Sequence, residues 1–122
     1  MKKILVVDDS DWMRKMLRTN LVSWGYEVKE AEDGAKALEY LKNEVFDLLI
    51  CDIVMPKKDG WEVLREVKKD PRTQDMPVIM LTGQDKVTDM AQGYGLGAAY
   101  YMTKPFTKAQ LLYGVQLMFE ET

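Results

Sequence analysis

The fold is decided by the stretch ILVVDD at residues 4–9, where four apolar residues run directly into two aspartates. A short, continuously apolar run rich in β-branched residues predicts a strand that is buried on both faces. The pattern returns in LLICD (48–52) and VIMLTG (78–83), each time with a polar residue closing the apolar run. Strands buried on both faces are typical of parallel sheets that helices cover on either side.

Segments with helical spacing of apolar residues separate these strands. The predicted helices are residues 11–24, 34–43, 61–69, 87–94 and 108–119. Two more strands are predicted at 26–31, which alternates between apolar and charged residues, and at 99–102, which is short. Both suit the edges of a sheet. The chain is therefore predicted to be an α/β protein: a doubly wound, five-stranded parallel sheet of order 2-1-3-4-5, in a flavodoxin-like (βα)5 three-layer sandwich.

Composition excludes several classes of function. The chain has 122 residues, 17 basic against 20 acidic side chains, a net charge of −3 and no histidine. An acidic chain has no general attraction to phosphate backbones, so direct DNA binding is not expected. One cysteine, Cys51, cannot form an internal disulfide, and without histidine a zinc site is not expected and a Ser-His nucleophile is excluded. No apolar run suits a signal peptide or a membrane span, so we expect a cytoplasmic domain without membrane contact.

Polar side chains close four of the predicted strands: Asp8 with Asp9, then Asp52, Thr82 and Lys104. The carboxyl ends of parallel strands meet at one edge of the sheet, where doubly wound proteins bind their ligands. Three carboxylates brought together there repel one another unless a cation is present, and Mg²⁺ is the cation that prefers such oxygen ligands. A cation, an ammonium group and a hydroxyl donor can together bind an anion with several oxygens, and a phosphoryl group fits that description best.

Four motifs at these strand ends resemble the receiver domain of two-component response regulators, of the single-domain, chemotaxis-regulator kind. They are VVDDS (6–10), CDIVMPKKDG (51–60), VIMLTG (78–83) and GAAYYMTKPF (97–106). The resemblance implies one receiver domain over residues 1–122 with no output domain. It also implies a phosphoacceptor switch that catalyses its own phosphorylation and slow dephosphorylation, rather than an enzyme.

The resemblance makes Asp52 the phosphoacceptor, which takes a phosphoryl group from a phosphohistidine on a sensor histidine kinase or phosphotransfer protein. Mg²⁺ would be held by Asp8, Asp9, Asp52 and the backbone carbonyl of Val54. The metal would screen the charge that builds on the phosphoryl oxygens.

The remaining site residues follow from the same resemblance. Lys104, in a cis peptide bond with Pro105, would pair with a phosphoryl oxygen, and Thr82 would donate a hydrogen bond to another. Tyr101 matches the family's switch aromatic and is expected to move inward as Thr82 is drawn to the phosphate. The switch would act on an unknown protein target through the face of the fourth helix, fifth strand and fifth helix. The protein would be a monomer or a dimer that forms on phosphorylation.

Two positions depart from the polar residues commoner in the family. Val54 offers the metal only its backbone carbonyl, and Gln84 is neutral. Because these positions tune hydrolysis of the aspartyl phosphate in the family, we expect Val54 to shield the phosphoryl group from water and lengthen its lifetime.

Three other functions fit parts of the sequence. Asp9-Ser10-Asp11 imitates the D-x-D motif of haloacid-dehalogenase phosphohydrolases, with Asp9 as nucleophile and Asp11 as general acid. A flavodoxin-like electron carrier shares the topology but lacks a hydroxyl-rich phosphate loop. A receiver that acts as an unphosphorylated docking module is the third.

Overall fold

The molecule, a computed structural model, is described at residues 1–55, 58–83, 95 and 97–120. Its strands are β1 Lys3–Val7, β2 Glu27–Ala31, β3 Leu48–Asp52, β4 Val78–Gly83 and β5 Tyr100–Lys104. The helices of the described part are α1 Asp11–Ser23, α2 Gly34–Asn43, α3 Gly60–Lys69 and α4 Lys108–Phe119. None of these helices is both long enough and apolar enough to cross a bilayer. The predicted helix at 87–94 lies outside the described residues.

The five strands form one parallel sheet in the order β2-β1-β3-β4-β5, which confirms the predicted topology. The register aligns the ends of the inner strands, with Val7 opposite Cys51 and Asp52 opposite Leu81. On the next pair of strands, Thr82 lies opposite Thr103. The polar residues that close the strands therefore share one edge of the sheet.

Both faces of the sheet are buried, which explains the continuously apolar strands. Ile4 and Val6 of β1 pack on the face that α1 and α4 cover, while Leu5 and Val7 pack on the face of α2 and α3. Each of these four side chains is completely buried. Full burial of such a side chain contributes about 1.5–3 kcal/mol, so β1 anchors both layers of helices to the sheet.

The described helices begin at side-chain caps that satisfy their first backbone N–H groups. Ser10 comes directly after the first strand and its two aspartates, which predicts a helix cap, and the cap is confirmed because its hydroxyl accepts a hydrogen bond from the N–H of Met13. The caps of the other three helices are Asp33, Asp59 and Thr107. Because Ser10 caps α1, the chain turns immediately after Asp9 and leaves both aspartates at the edge of the sheet.

Two details differ from the sequence-based prediction. β5 runs to Lys104 rather than ending at residue 102, because its parallel pairing with β4 continues to the end of that strand. On α4, helical spacing predicts that Leu112 and Met118 are buried together with Leu111 and Val115, but Leu112 and Met118 are only half-buried. The buried face of this helix consists of Leu111, Gly114 and Val115, which are three and four residues apart.

Candidate functional site

Three aspartates converge at the carboxyl edge of the sheet. Asp8, Asp9 and Asp52 each bring a carboxylate oxygen to within 4.8 Å of the others. Asp8 and Asp52 are buried, whereas Asp9 is exposed. The cluster is therefore open to solvent on the side of Asp9, and its oxygen-only donor set suits a hard divalent cation.

Asp8 is held on several sides where β1 ends. Its backbone N–H donates to the carbonyl of Ala31 at 3.2 Å, which ties the strand end to β2. Its carboxylate accepts hydrogen bonds of 2.9 Å from the backbone N–H of Ser10 and from the ammonium group of Lys104. Asp8 consequently has one fixed orientation in the site.

Lys104 joins two of the three carboxylates. Its Nζ lies 2.9 Å from Asp8 Oδ2 and 3.2 Å from Asp52 Oδ1. Burial disfavours its charged form, but the hydrogen bonds and charges of the two aspartates outweigh burial and raise the pKa of Lys104. The predicted cis peptide bond between Lys104 and Pro105 is present.

The carboxyl group of Asp52 holds its proton more tightly than an ordinary aspartate. Burial is the main cause, the charge of Asp8 adds to it and Lys104 opposes it, so that the pKa of Asp52 is raised to about 6. Asp52 therefore exchanges its proton at a pH close to neutral. Added positive charge, such as a bound cation, favours the ionised form.

Replacing Asp52 by asparagine is expected to stabilise the metal-free protein at pH 7. Because the pKa of Asp52 is higher in the folded chain than in the unfolded one, its protonated form favours folding, and that contribution is lost as pH rises through about 6. We expect the free energy of unfolding to rise by about 1 kcal/mol, or the melting temperature by about 4 °C. Thermal unfolding at pH 7 and pH 4 measures this, and an equal gain at both pH values would contradict it.

The other predicted site residues differ in their burial. Thr82 is buried and its hydroxyl donates to the carbonyl of Gly83 at 3.4 Å. Tyr101 is buried, with its ring 6.4 Å from that of Trp61. Val54 is 68% exposed. Gln84 lies outside the described residues.

Sequence reasoning missed two residues that shape the site. Arg14 donates to the backbone carbonyl of Asp8 from inside α1, where an arginine among charged residues gives no signal by itself. Gly60 was interpreted only as part of a turn. Its N–H donates to the carbonyl of Ile53 at 2.8 Å, and a Cβ at this position would lie 2.3 Å from the carbonyl oxygen of Asp52. The sequence feature that marks Gly60 is its place at the start of α3, eight residues after Asp52.

Asp11, the general acid of the phosphohydrolase alternative, does not join the carboxylate cluster. Its side chain is 93% exposed and forms an ion pair with Arg14. A carboxyl group that faces bulk solvent and lies outside the cluster is poorly placed to act as a general acid there.

Fold and site together define a doubly wound α/β protein with an acidic pocket at the carboxyl edge of its sheet. The chain belongs to the response regulator receiver domain family, whose model matches residues 4–116. The DNA-binding dual master transcriptional regulator RpaA of Synechocystis is 36% identical over 122 residues, which cover 100% of this chain and 51% of that protein. The chain spans about half the length of the curated relatives it matches.

Solved structures agree with this assignment. Chemotaxis protein CheY4 of Vibrio cholerae is 35% identical, with a TM-score of 0.91 over 97% of this chain and 98% of that one. The receiver domain of NtrX from Brucella abortus is 28% identical, with a TM-score of 0.90 over 98% and 99% of the two chains. The chain is thus a phosphoacceptor signalling domain of two-component systems. Receiver domains interact with histidine kinases and act as switches, so the phosphohydrolase and electron-carrier alternatives are set aside.

Proposed function

We propose that Asp52 accepts a phosphoryl group from the phosphohistidine of a histidine kinase or phosphotransfer protein. An oxygen of the ionised carboxylate attacks phosphorus, the new P–O bond forms and the P–N bond breaks, with its electron pair left on the imidazole. The partner supplies the phosphohistidine. The chain catalyses the transfer and, later, the slow hydrolysis of the aspartyl phosphate. We place this exchange in the cytoplasm.

We propose Mg²⁺ as the cofactor, held by Asp8, Asp9, Asp52 and the backbone carbonyl of Val54. The support is the donor set: three carboxylates whose ligand oxygens lie within 4.8 Å of one another. When bound, the metal neutralises charge on the phosphoryl oxygens. It also favours the ionised form of Asp52, which is the form that attacks.

The chain's own residues have distinct roles in the proposed reaction. Lys104, already 3.2 Å from an oxygen of Asp52, would pair with the phosphoryl group that forms there. Thr82 would turn its hydroxyl from the Gly83 carbonyl to a phosphoryl oxygen. Tyr101 would move inward as Thr82 is drawn to the phosphate. The exposed side chain of Val54 would shield the phosphoryl group from water.

The readout we propose is docking to a protein target through the face formed by β5, α4 and the predicted helix at 87–94. The net charge of −3 argues against direct DNA contact by residues 1–122, which we propose form a single receiver domain. RpaA is a DNA-binding regulator twice as long as the part it shares with this chain.

One observation carries the proposal: a buried carboxyl group with a pKa of about 6 lies beside two further aspartates and a lysine. That combination provides a nucleophile, a metal site and a cation for the product in one place.

The test is the intact mass of the purified protein with acetyl phosphate, with and without Mg²⁺, for the wild type and for Asp52→Asn. The expected result is one added phosphoryl group on the wild type, dependent on Mg²⁺ and absent from the variant. No adduct on folded wild type would favour the docking-module alternative, and an adduct on Asp52→Asn would move the acceptor to another residue.

A further inference from the structure

We propose that Arg14 is a positioning residue for the metal-binding carboxylates. Its guanidinium fixes the peptide group between Asp8 and Asp9, and Glu30 on β2 holds the guanidinium in place. The inference rests on the proposed function, because it concerns how tightly the site binds Mg²⁺.

Arg14 reaches from the first turns of α1 back over the end of β1. Its side chain is only 11% exposed, and Nη1 donates a hydrogen bond of 2.5 Å to the carbonyl oxygen of Asp8. Nη2 forms an ion pair with Asp11, and Nε lies 3.4 Å from Oε1 of Glu30. One planar group thus connects α1, the β1–α1 turn and β2, which suits the fixed fork of donors that arginine carries.

The contact matters because of which carbonyl it engages. The carbonyl of Asp8 and the N–H of Asp9 belong to one planar peptide group, so fixing the oxygen limits the backbone rotation on either side. Asp9 is exposed, and its carboxylate has no hydrogen-bond or ion-pair partner within the ranges that the structure describes. The direction of Asp9 towards the metal therefore depends on the backbone that Arg14 holds.

Positioning and simple electrostatics predict opposite results when Arg14 is removed. A guanidinium beside the site repels Mg²⁺, so loss of its charge alone would strengthen metal binding. Loss of a contact that holds the metal ligands in position would weaken metal binding. The sign of the change in Mg²⁺ affinity consequently separates the two explanations.

Arg18 offers a matched control one turn further along α1. It also contacts Glu30, with Nη1 3.5 Å from Oε2, but its hydrogen bond of 3.3 Å goes to the carbonyl of Val28 and not to the β1–α1 turn. Replacing Arg18 removes the same charge and a contact to the same glutamate while leaving the Asp8–Asp9 peptide held.

The experiment is a Mg²⁺ titration followed by tryptophan fluorescence, since Trp12 lies in the first turn of α1. The proteins are the wild type, Arg14→Met, Arg18→Met and Glu30→Gln, each with its thermal unfolding measured in parallel. We expect the dissociation constant of Arg14→Met to rise about tenfold, as for other residues that orient metal ligands. Arg18→Met should stay at or slightly below the wild-type value, and Glu30→Gln should lie between the two.

Unchanged or tighter Mg²⁺ binding by folded Arg14→Met would overturn the inference, even if its melting temperature falls, because a merely structural role moves stability alone. If Arg14→Met does not fold, Arg14→Lys decides, because lysine keeps the positive charge but lacks the fork that contacts the Asp8 carbonyl and Glu30 together. A raised dissociation constant for this variant supports the brace, and a wild-type value overturns it. Wild type that fails to bind Mg²⁺ would overturn the proposed function itself, which distinguishes the two failures.

Discussion

Gly60→Ala is expected to lower the free energy of unfolding by about 3 kcal/mol, near the upper end for overpacking a filled site. A Cβ at this position would lie 2.3 Å from the carbonyl oxygen of Asp52 and 2.8 Å from Cα of Ile53. Both atoms belong to the backbone and cannot move aside without shifting the end of β3. Because Asp52 is the residue displaced, phosphoryl incorporation should also fall in the fraction that stays folded.

Urea unfolding and the intact-mass assay at low temperature measure the two effects of Gly60→Ala. Gly95→Ala is the matched control, since no atom of the described residues beyond its own chain neighbours lies within 4 Å of a Cβ built there. That variant should stay within about 0.5 kcal/mol of the wild type, as for surface substitutions generally. Equal stabilities for the two variants would show that the turn between β3 and α3 accommodates the added methyl group at little cost in free energy, which would contradict the prediction.

Lys104→Met is expected to destabilise the metal-free protein at pH 7 by about 3 kcal/mol, as when one partner of a buried ion pair is removed. Without the ammonium group, no cation remains within 4.0 Å of the Asp8 and Asp52 carboxylates in the described part of the chain. The repulsion should raise the pKa of Asp52 further. Protonation at pH 5, or added Mg²⁺, should therefore restore most of the lost stability.

Chemical unfolding at pH 7 and pH 5, with and without Mg²⁺, measures the effect of Lys104→Met. Lys58→Met is the control, because Lys58 Nζ lies 2.7 Å from Glu66 but both side chains are well exposed. An exposed pair of this kind contributes less than about 1 kcal/mol, and its loss should not depend on Mg²⁺. A Lys104→Met protein as stable as Lys58→Met at pH 7 would contradict the bridging role of Lys104.

The strand ends were predictable from sequence, while the geometry around them was not. The apolar runs before Asp8 and Asp52 indicate buried strands because they are short, continuously apolar and ended by a polar residue, and parallel strands bring such ends to one edge. Gly60 and Arg14 carry no periodic signal. Gly60 matters because a Cβ added there would collide with the carbonyl oxygen of Asp52, and Arg14 matters because its Nη1 lies 2.5 Å from the carbonyl oxygen of Asp8. A sequence pattern does not encode such distances.

The amino-acid sequence by itself predicted the strands, their order and the acidic and basic residues at the carboxyl edge. These features follow from local hydrophobic patterns and from the rules of parallel connections. Only the tertiary structure decided the raised pKa of Asp52, the double contact of Lys104 and the brace from Arg14 to Asp8. The first two depend on burial and on charges from segments far apart in the chain, and the third depends on how α1 packs over the end of β1. These arrangements become defined only when the sheet and its helices are packed together.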